Sequence, residues 1–271
     1  MTRKLGVSLG CYGGLQLDEQ ISMMKKYGFE ACFTGSENPN LDSIIPALKD
    51  AGISCDNFHA PFNKINDIWK PGEEGDDMAA RLYRSVEKAA FHGVPAIVVH
   101  LSSGLNPPHV NDTGYARWAK LMEIAKEANV LICYENQRML SNLAFAFEEF
   151  PETARFCWDC GHEFCFTPGR HYMPIFGHKL SALHIHDNHC VFNKDEHLIP
   201  GDGSIDFGYI AGQIAASGYT GTVMLELIRK NSDLYPDWTA ERYYEHAAEA
   251  GKKLIADIEA AENKLAKEKT K

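Results

Sequence analysis

Six apolar runs of this chain, taken in order, each end on a histidine or a carboxylate. ISCDNFH ends at His59, AIVVH at His100, VLICYE at Glu135, RFCWD at Asp159, SALH at His184 and VMLE at Glu226. Unpaired charge is costly to bury, so a core would exclude such groups, and a solvated face would scatter them. Parallel strands set around one axis bring all six tips to a common rim, where bound divalent metal offsets their burial.

Strand-like and helix-like patterns alternate along the whole chain. Strands are predicted at 5–9, 29–34, 53–60, 96–101, 130–135, 155–159, 181–187 and 222–227. Helices are predicted near 17–27, 41–51, 76–92, 113–128, 140–150, 170–178 and 206–217, with a long one from Trp238 into the lysine-rich end. Asp18, Asp42 or Ser43, and Asp112 or Thr113 are candidate N-caps. Gly28, Gly52, Gly93 and Gly218 each stand where a helix must stop before a strand. This alternation means parallel pairing through right-handed crossovers, and eight strands fit a closed α/β barrel better than an open sheet. The expectation is one (β/α)8 domain over residues 1–271.

Composition narrows the function. The chain has 271 residues, 45% of them hydrophobic, and a net charge of −10, with no dense basic stripe to neutralise phosphates. The terminal lysines Lys264, Lys267, Lys269 and Lys271 are interspersed with Glu262 and Glu268. A nucleic-acid partner is therefore disfavoured. No run approaches the length of a membrane span and no secretory leader is evident, so a cytoplasmic protein is expected. The eight cysteines sit mostly in strand-like runs, as buried free thiols do, and the Cys157–Cys160 pair is not read as a redox motif.

Glu135, Asp159, His184 and Glu226 supply three carboxylates and one imidazole from four successive strand tips. This set suits Mn²⁺, Zn²⁺, Co²⁺ or Mg²⁺ and is the expected principal metal site. His59, His100, His162 and the Asp195–His197 pair are candidates for additional ions, giving one to three in all. His186, two residues beyond His184, is expected either to touch substrate or to support a metal ligand from behind. Loops 61–75, 102–111 and 188–205 overbuild the same rim, and Phe62 or Trp69 from the first could close over a sugar face. Lys64, Arg138, Arg170 and Lys194 lie near it in sequence. The backbone N–H groups around Gly201, Gly203 and Ser204 could bind an anion or simply form a tight turn.

Seven motifs follow one another here: NFHAP (57–61), VVHLSSG (98–104), CYEN (133–136), WDCGH (158–162), LHIHDN (183–188), DEHLIPGDGSIDF (195–207) and VMLEL (223–227). In this order they resemble the xylose-isomerase-like TIM-barrel superfamily, which includes sugar and sugar-phosphate isomerases and epimerases together with endonuclease IV. Resemblance to endonuclease IV implies three zinc ions on His59, His100, Glu135, Asp159, His162, His184, Asp195, His197 and Glu226. Resemblance to the ketose 3-epimerases implies one ion on Glu135, Asp159, His184 and Glu226, with His162 near the substrate. The arginine those epimerases carry six residues past the metal-bound histidine is replaced here by Cys190.

The reaction expected is proton transfer next to a carbonyl of a sugar or sugar phosphate, through a metal-stabilised enediolate. Glu135 and Glu226 would exchange the proton, and His162 would orient a hydroxyl. Return to the same carbon gives an epimer, return to its neighbour an isomer, and loss of a hydroxyl a lyase product. The alternatives are a multinuclear zinc phosphodiesterase and a non-catalytic carbohydrate-binding barrel. A homodimer or homotetramer is plausible for a mouth built of long loops.

Overall fold

The computed structural model describes residues 3–269; Lys271, the last of the terminal lysines, lies outside them. In chain order the elements are β1 (Leu5–Ser8), α1 (Leu17–Tyr27), β2 (Ala31–Gly35), α2 (Leu41–Asp50), β3 (Ser54–His59), α3 (Glu73–His92), β4 (Ala96–His100), α4 (Asp112–Glu127), β5 (Leu131–Glu135), α5 (Leu140–Glu149), β6 (Ala154–Asp159), α6 (Cys160–Phe166), α7 (Met173–Phe176), β7 (Leu180–His184), α8 (Phe207–Ser217), β8 (Val223–Leu225) and α9 (Ala240–Lys269). Every predicted strand is present, displaced by no more than three residues at either end.

The strands form one sheet in the order β7-β6-β5-β4-β3-β2-β1-β8, and the pairs with resolved register are parallel. Its two ends are joined: Ile185 bridges Leu225, with Ile185 N donating to Met224 O and Glu226 N donating to Ile185 O, each at 2.9 Å. The sheet closes on itself as an eight-stranded α/β barrel.

Packing density divides the chain into two units. The first holds the segments up to Cys32, Leu48–Ser54, and everything from Trp158 onward; the second holds Phe33–Ala47 and Cys55–Cys157. In the first, Leu5, Val7, Ile185 and Leu225 of the strands and Tyr243, Tyr244 and Ile258 of α9 are all buried. In the second, Ile97, Val99, Ile132 and Tyr134 are buried together with Leu82 and Val86 of α3 and Trp118 and Leu121 of α4, and Trp118 meets Tyr134 edge-on.

The helix ends show where sequence patterning was off by a residue or two. Asn111, not Asp112 or Thr113, caps α4 by accepting from Gly114 N at 3.0 Å. Gln16 precedes α1, and its N–H donates to Glu19 Oε2 at 2.7 Å, so Asp18 falls in the first turn instead. For α2 the carbonyl of Asn40 accepts from Ile44 N, which places Asp42 inside the helix. Acidic residues in a first turn complement the helix dipole without capping it, hence the ambiguity. Gly28 and Gly93 stop their helices at φ 83° and 69°, a left-handed conformation that costs glycine little.

Trp69 belongs to this packing. It is 3% exposed, its Nε1 donates to Leu101 O at 2.7 Å, and its ring lies against Trp118 and Phe145. That burial corrects the sugar-facing role expected of it. Gly114 on α4 leaves the space it fills: a Cβ there would fall inside the indole. Gly114→Ala should therefore destabilise the protein by about 1–3 kcal/mol. A urea midpoint equal to wild type would show that the indole can move aside.

Candidate metal centre

Within the second unit, β3, β4 and β5 end on His59, His100 and Glu135. Glu135 is buried, and its Oε2 lies 3.3 Å from His59 Nε2 and 3.1 Å from His100 Nε2. Gln137, which sequence patterning did not single out, brings its amide nitrogen within 3.3 Å of His100 Nε2. Phe62 is half exposed and stacks on His100 at 4.9 Å while meeting His59 edge-on at 5.3 Å. Lys64 is exposed and left-handed, with φ 66°.

Within the first unit, Asp159 ends β6, His184 ends β7 and Glu226 follows β8. Ligand-type atoms of these three lie within 4.8 Å of one another, and His184 Nδ1 is 3.2 Å from Glu226 Oε2. Asp159 also caps α6, its Oδ1 accepting from His162 N at 2.6 Å. Helix α6 was not foreseen, because CGHEFCF reads as a loop until Asp159 anchors it.

His162, His186, Asp195 and His197 form a further cluster in this unit, their ligand-type atoms also within 4.8 Å of one another. His162 Nε2 lies 3.2 Å and His197 Nε2 3.0 Å from Asp195 Oδ2. His186 is wholly buried, stacks on His197 at 4.1 Å and places Nε2 3.1 Å from Asp159 Oδ1. Of the two roles expected of His186, this position beside Asp159 is the one that supports a ligand from behind. His162 has its ring against Phe166 and both nitrogens beside carboxylates.

The tautomers fit metal binding. A carbonyl oxygen only accepts, so His59 Nδ1, 2.8 Å from Ala60 O, and His197 Nδ1, 3.0 Å from Glu226 O, must each carry hydrogen. In the neutral ring each Nε2 then turns a lone pair toward a carboxylate. That arrangement is repulsive unless a proton or a cation lies between, and it is how metal-bound histidines are oriented by their surroundings. The donor set of imidazoles and carboxylates suits Zn²⁺ or Mn²⁺.

In the metal-free protein the burden falls on protons. Burial alone would lower the pKa of His197, but its hydrogen bond to Asp195 and the charges of Asp195, Glu226 and Asp159 outweigh it and raise the value to about 9. Burial opposes ionisation of Asp195, yet His162 and His197 hold it well below the usual carboxylate range. A pKa raised on folding gives stability that is full below the unfolded value of 6.5 and lost as pH rises through about 9. Chelator-treated protein should accordingly melt at progressively lower temperature between those pH values, and His197→Gln should flatten the slope. An unchanged slope in that variant would place its origin elsewhere.

The turn that might have bound an anion is already filled. The buried carboxylate of Asp187 accepts from Gly201 N and Gly203 N at 2.9 Å each, from Ile205 N at 3.1 Å and from Asn188 N at 2.8 Å. Asp206 takes the first N–H groups of α8, those of Gly208 and Tyr209. PGDG is therefore a tight turn around an internal carboxylate. Nor is Lys194 a free cation, since it pairs with Glu196 Oε1 at 2.7 Å. Burial pushes the Cys160 thiol well above its ordinary pKa.

Residues 17–254 match the family model described as xylose isomerase-like TIM barrel. Solved structures share the fold at low identity. D-Psicose 3-epimerase from Clostridium cellulolyticum H10, solved with D-tagatose, is 14% identical with a TM-score of 0.76, over 94% of this chain and 99% of that one. L-Ribulose 3-epimerase is 16% identical with a TM-score of 0.75, over 97% of each chain. 3-Keto-D-glucoside 4-epimerase from E. coli is 16% identical with a TM-score of 0.71, over 94% of this chain and 99% of that one. The uncharacterized protein y4fM of Sinorhizobium fredii is 42% identical over 64 residues, a stretch spanning 23% of this chain and 20% of that protein. With most of its length inside the family model, this chain belongs to the xylose isomerase-like TIM-barrel family.

Proposed function

We propose that the protein is a divalent-metal-dependent isomerase or epimerase of a sugar or sugar phosphate. Glu135, Asp159, His184 and Glu226 hold the principal ion. The observation that carries this reading is the grouping of Asp159, His184 and Glu226 within ligand distance, with Glu135 ending the strand next to β6 and paired in register with Cys157. Family membership and the named activities of the epimerases with this fold support it. When bound, the ion supplies Lewis-acid polarisation of the substrate carbonyl and holds the charge that develops on oxygen.

The chain's own groups do the rest. Glu135 and Glu226 remove and return the proton, and their order decides between epimer and isomer. Phe62 offers an exposed aromatic face for the apolar side of a sugar and excludes water from His59 and His100 beneath it. Lys64, Arg138 and Arg170 remain candidates for a phosphate on the substrate. We take the protein to be a single domain acting in the cytoplasm, without nucleic acid, as a homodimer or homotetramer; among the described residues no helix is long and apolar enough to cross a membrane.

The test is metal analysis followed by a panel of sugars and sugar phosphates in deuterated water. Deuterium entering a carbon next to the carbonyl, abolished by chelation and restored by Mn²⁺ or Zn²⁺, is the expected result. A second reading, a multinuclear zinc phosphodiesterase, draws on the convergence of His59 and His100 on Glu135 and of His162 and His197 on Asp195. It requires cleavage of abasic DNA with three ions bound. A non-catalytic carbohydrate-binding barrel would take up the sugar without exchanging its protons.

A further inference from the structure

We infer that Asn66 is a positioning residue for the substrate, acting through Phe62 on the rim loop 61–75. This loop carries the exposed aromatic face above His59 and His100, and Asn66 joins it to the loop that follows β4. Long rim loops of enzymes commonly close over substrate on binding. The hydrogen bonds of this one hold it in place beforehand.

The side-chain amide of Asn66 does what a neighbouring strand would do. Its Nδ2 donates to Ser103 O at 2.9 Å, and its Oδ1 accepts from Ser103 N at 2.8 Å. A carboxamide offers donor and acceptor side by side, which a carboxylate or a hydroxyl of similar length does not. One side chain thereby satisfies both main-chain groups of Ser103, three positions after His100.

The rest of the loop is fastened from two helices. Ile65–Trp69 form a short 3-10 turn in which Ile65 and Ile68 are fully buried. Ile65 N donates to Phe62 O at 3.0 Å, so the turn begins on Phe62 itself. From α3, Arg81 Nη1 donates to Asn63 O at 3.0 Å, while its Nε and Nη2 hold Glu37 at 2.8 Å each. From α4, Arg117 Nη1 donates to Ile68 O at 2.8 Å. Asn66 supplies the remaining anchor, on the side of β4. Phe62 is left stacked on His100 at 4.9 Å with half of its surface outward.

A wall ordered during folding spares binding the entropy of ordering it. An aromatic face holds the apolar side of a sugar equally in ground and transition states. Loosening it therefore raises KM and leaves kcat nearly unchanged. That kinetic consequence rests on the sugar chemistry proposed above; the fixed loop does not.

Two measurements on the full chain test the inference. In amide hydrogen exchange, Ser103 and residues 62–70 of the wild type should exchange far more slowly than unstructured chain. Asn66→Ala should speed them at least about tenfold and leave β4 and β5 unchanged. With the sugar that takes up deuterium in the panel above, Asn66→Ala should raise KM about tenfold with kcat within about threefold of wild type. Phe62→Ala should do the same, and the double variant should be no worse than Phe62→Ala alone, because both act on one face. A merely structural Asn66 would lower kcat through loss of folded enzyme, or add its effect to that of Phe62→Ala, and either outcome overturns the proposal. Wild-type loop exchange at unstructured rates overturns it too. If Asn66→Ala fails to fold, Asn66→Asp decides. It keeps the acceptor for Ser103 N but sets a carboxylate oxygen against Ser103 O, so it should show the same pattern, and wild-type behaviour overturns the proposal. If no sugar takes up deuterium, the proposed reaction fails, while the exchange measurement still decides whether Asn66 fixes the loop.

Discussion

Glu135→Gln should lower solvent-deuterium incorporation into the substrate by about 10²–10⁴-fold, the usual worth of a positioned acid or base. The substitution keeps the side chain's size and one oxygen for the ion, so lost exchange with retained metal isolates the proton-transfer role. Glu135 Oε2 is flanked by His59 and His100, which secures its position but leaves little freedom to turn. If Glu135 and Glu226 work on opposite faces, each Gln variant should block conversion yet leave one of two epimers exchanging its proton. Exchange within tenfold of wild type in metal-loaded Glu135→Gln would remove this carboxylate from the chemistry.

Asp187→Ala carries the largest expected stability cost. Four backbone N–H groups meet in its buried carboxylate. Removing a buried anion that satisfies such donors costs about 3–5 kcal/mol. Urea unfolding should show it as a lowered midpoint with little change in slope. Gly203→Ala should act on the same turn from the other side, because a Cβ there would run into Asp187 and the backbone of Asn188. A loss near 1 kcal/mol for Asp187→Ala would mean that water replaces the carboxylate.

These two residues show what was legible in the sequence. Glu135 could be found because a charged group at the tip of VLICYE has no cheap explanation in a core. The fold followed from period and punctuation, which are local properties that each segment declares by itself. Asp187 was hidden because its partners are backbone N–H groups, which no side-chain pattern records; the signal was an Asp ending LHIHD, thirteen positions ahead of PGDG. Trp69 misled for the converse reason. A loop aromatic near the rim looks the same whether it faces solvent or packs under the loop, and Gly114, 45 positions away, decides which. His186 had the right strand parity for a rim position, but parity cannot distinguish a ring turned toward substrate from one enclosed by its neighbours.

The seam where β7 meets β8 has a further consequence. It is fastened by a pair of main-chain bonds at Ile185 and Glu226, next to His184 and beside a proposed ligand. Loading the protein with metal should therefore act as a rivet on that joint. Amide exchange at Ile185 and Glu226 should slow on metal addition more than exchange across β4 and β5, so that the cation guards the circle of strands as well as its chemistry.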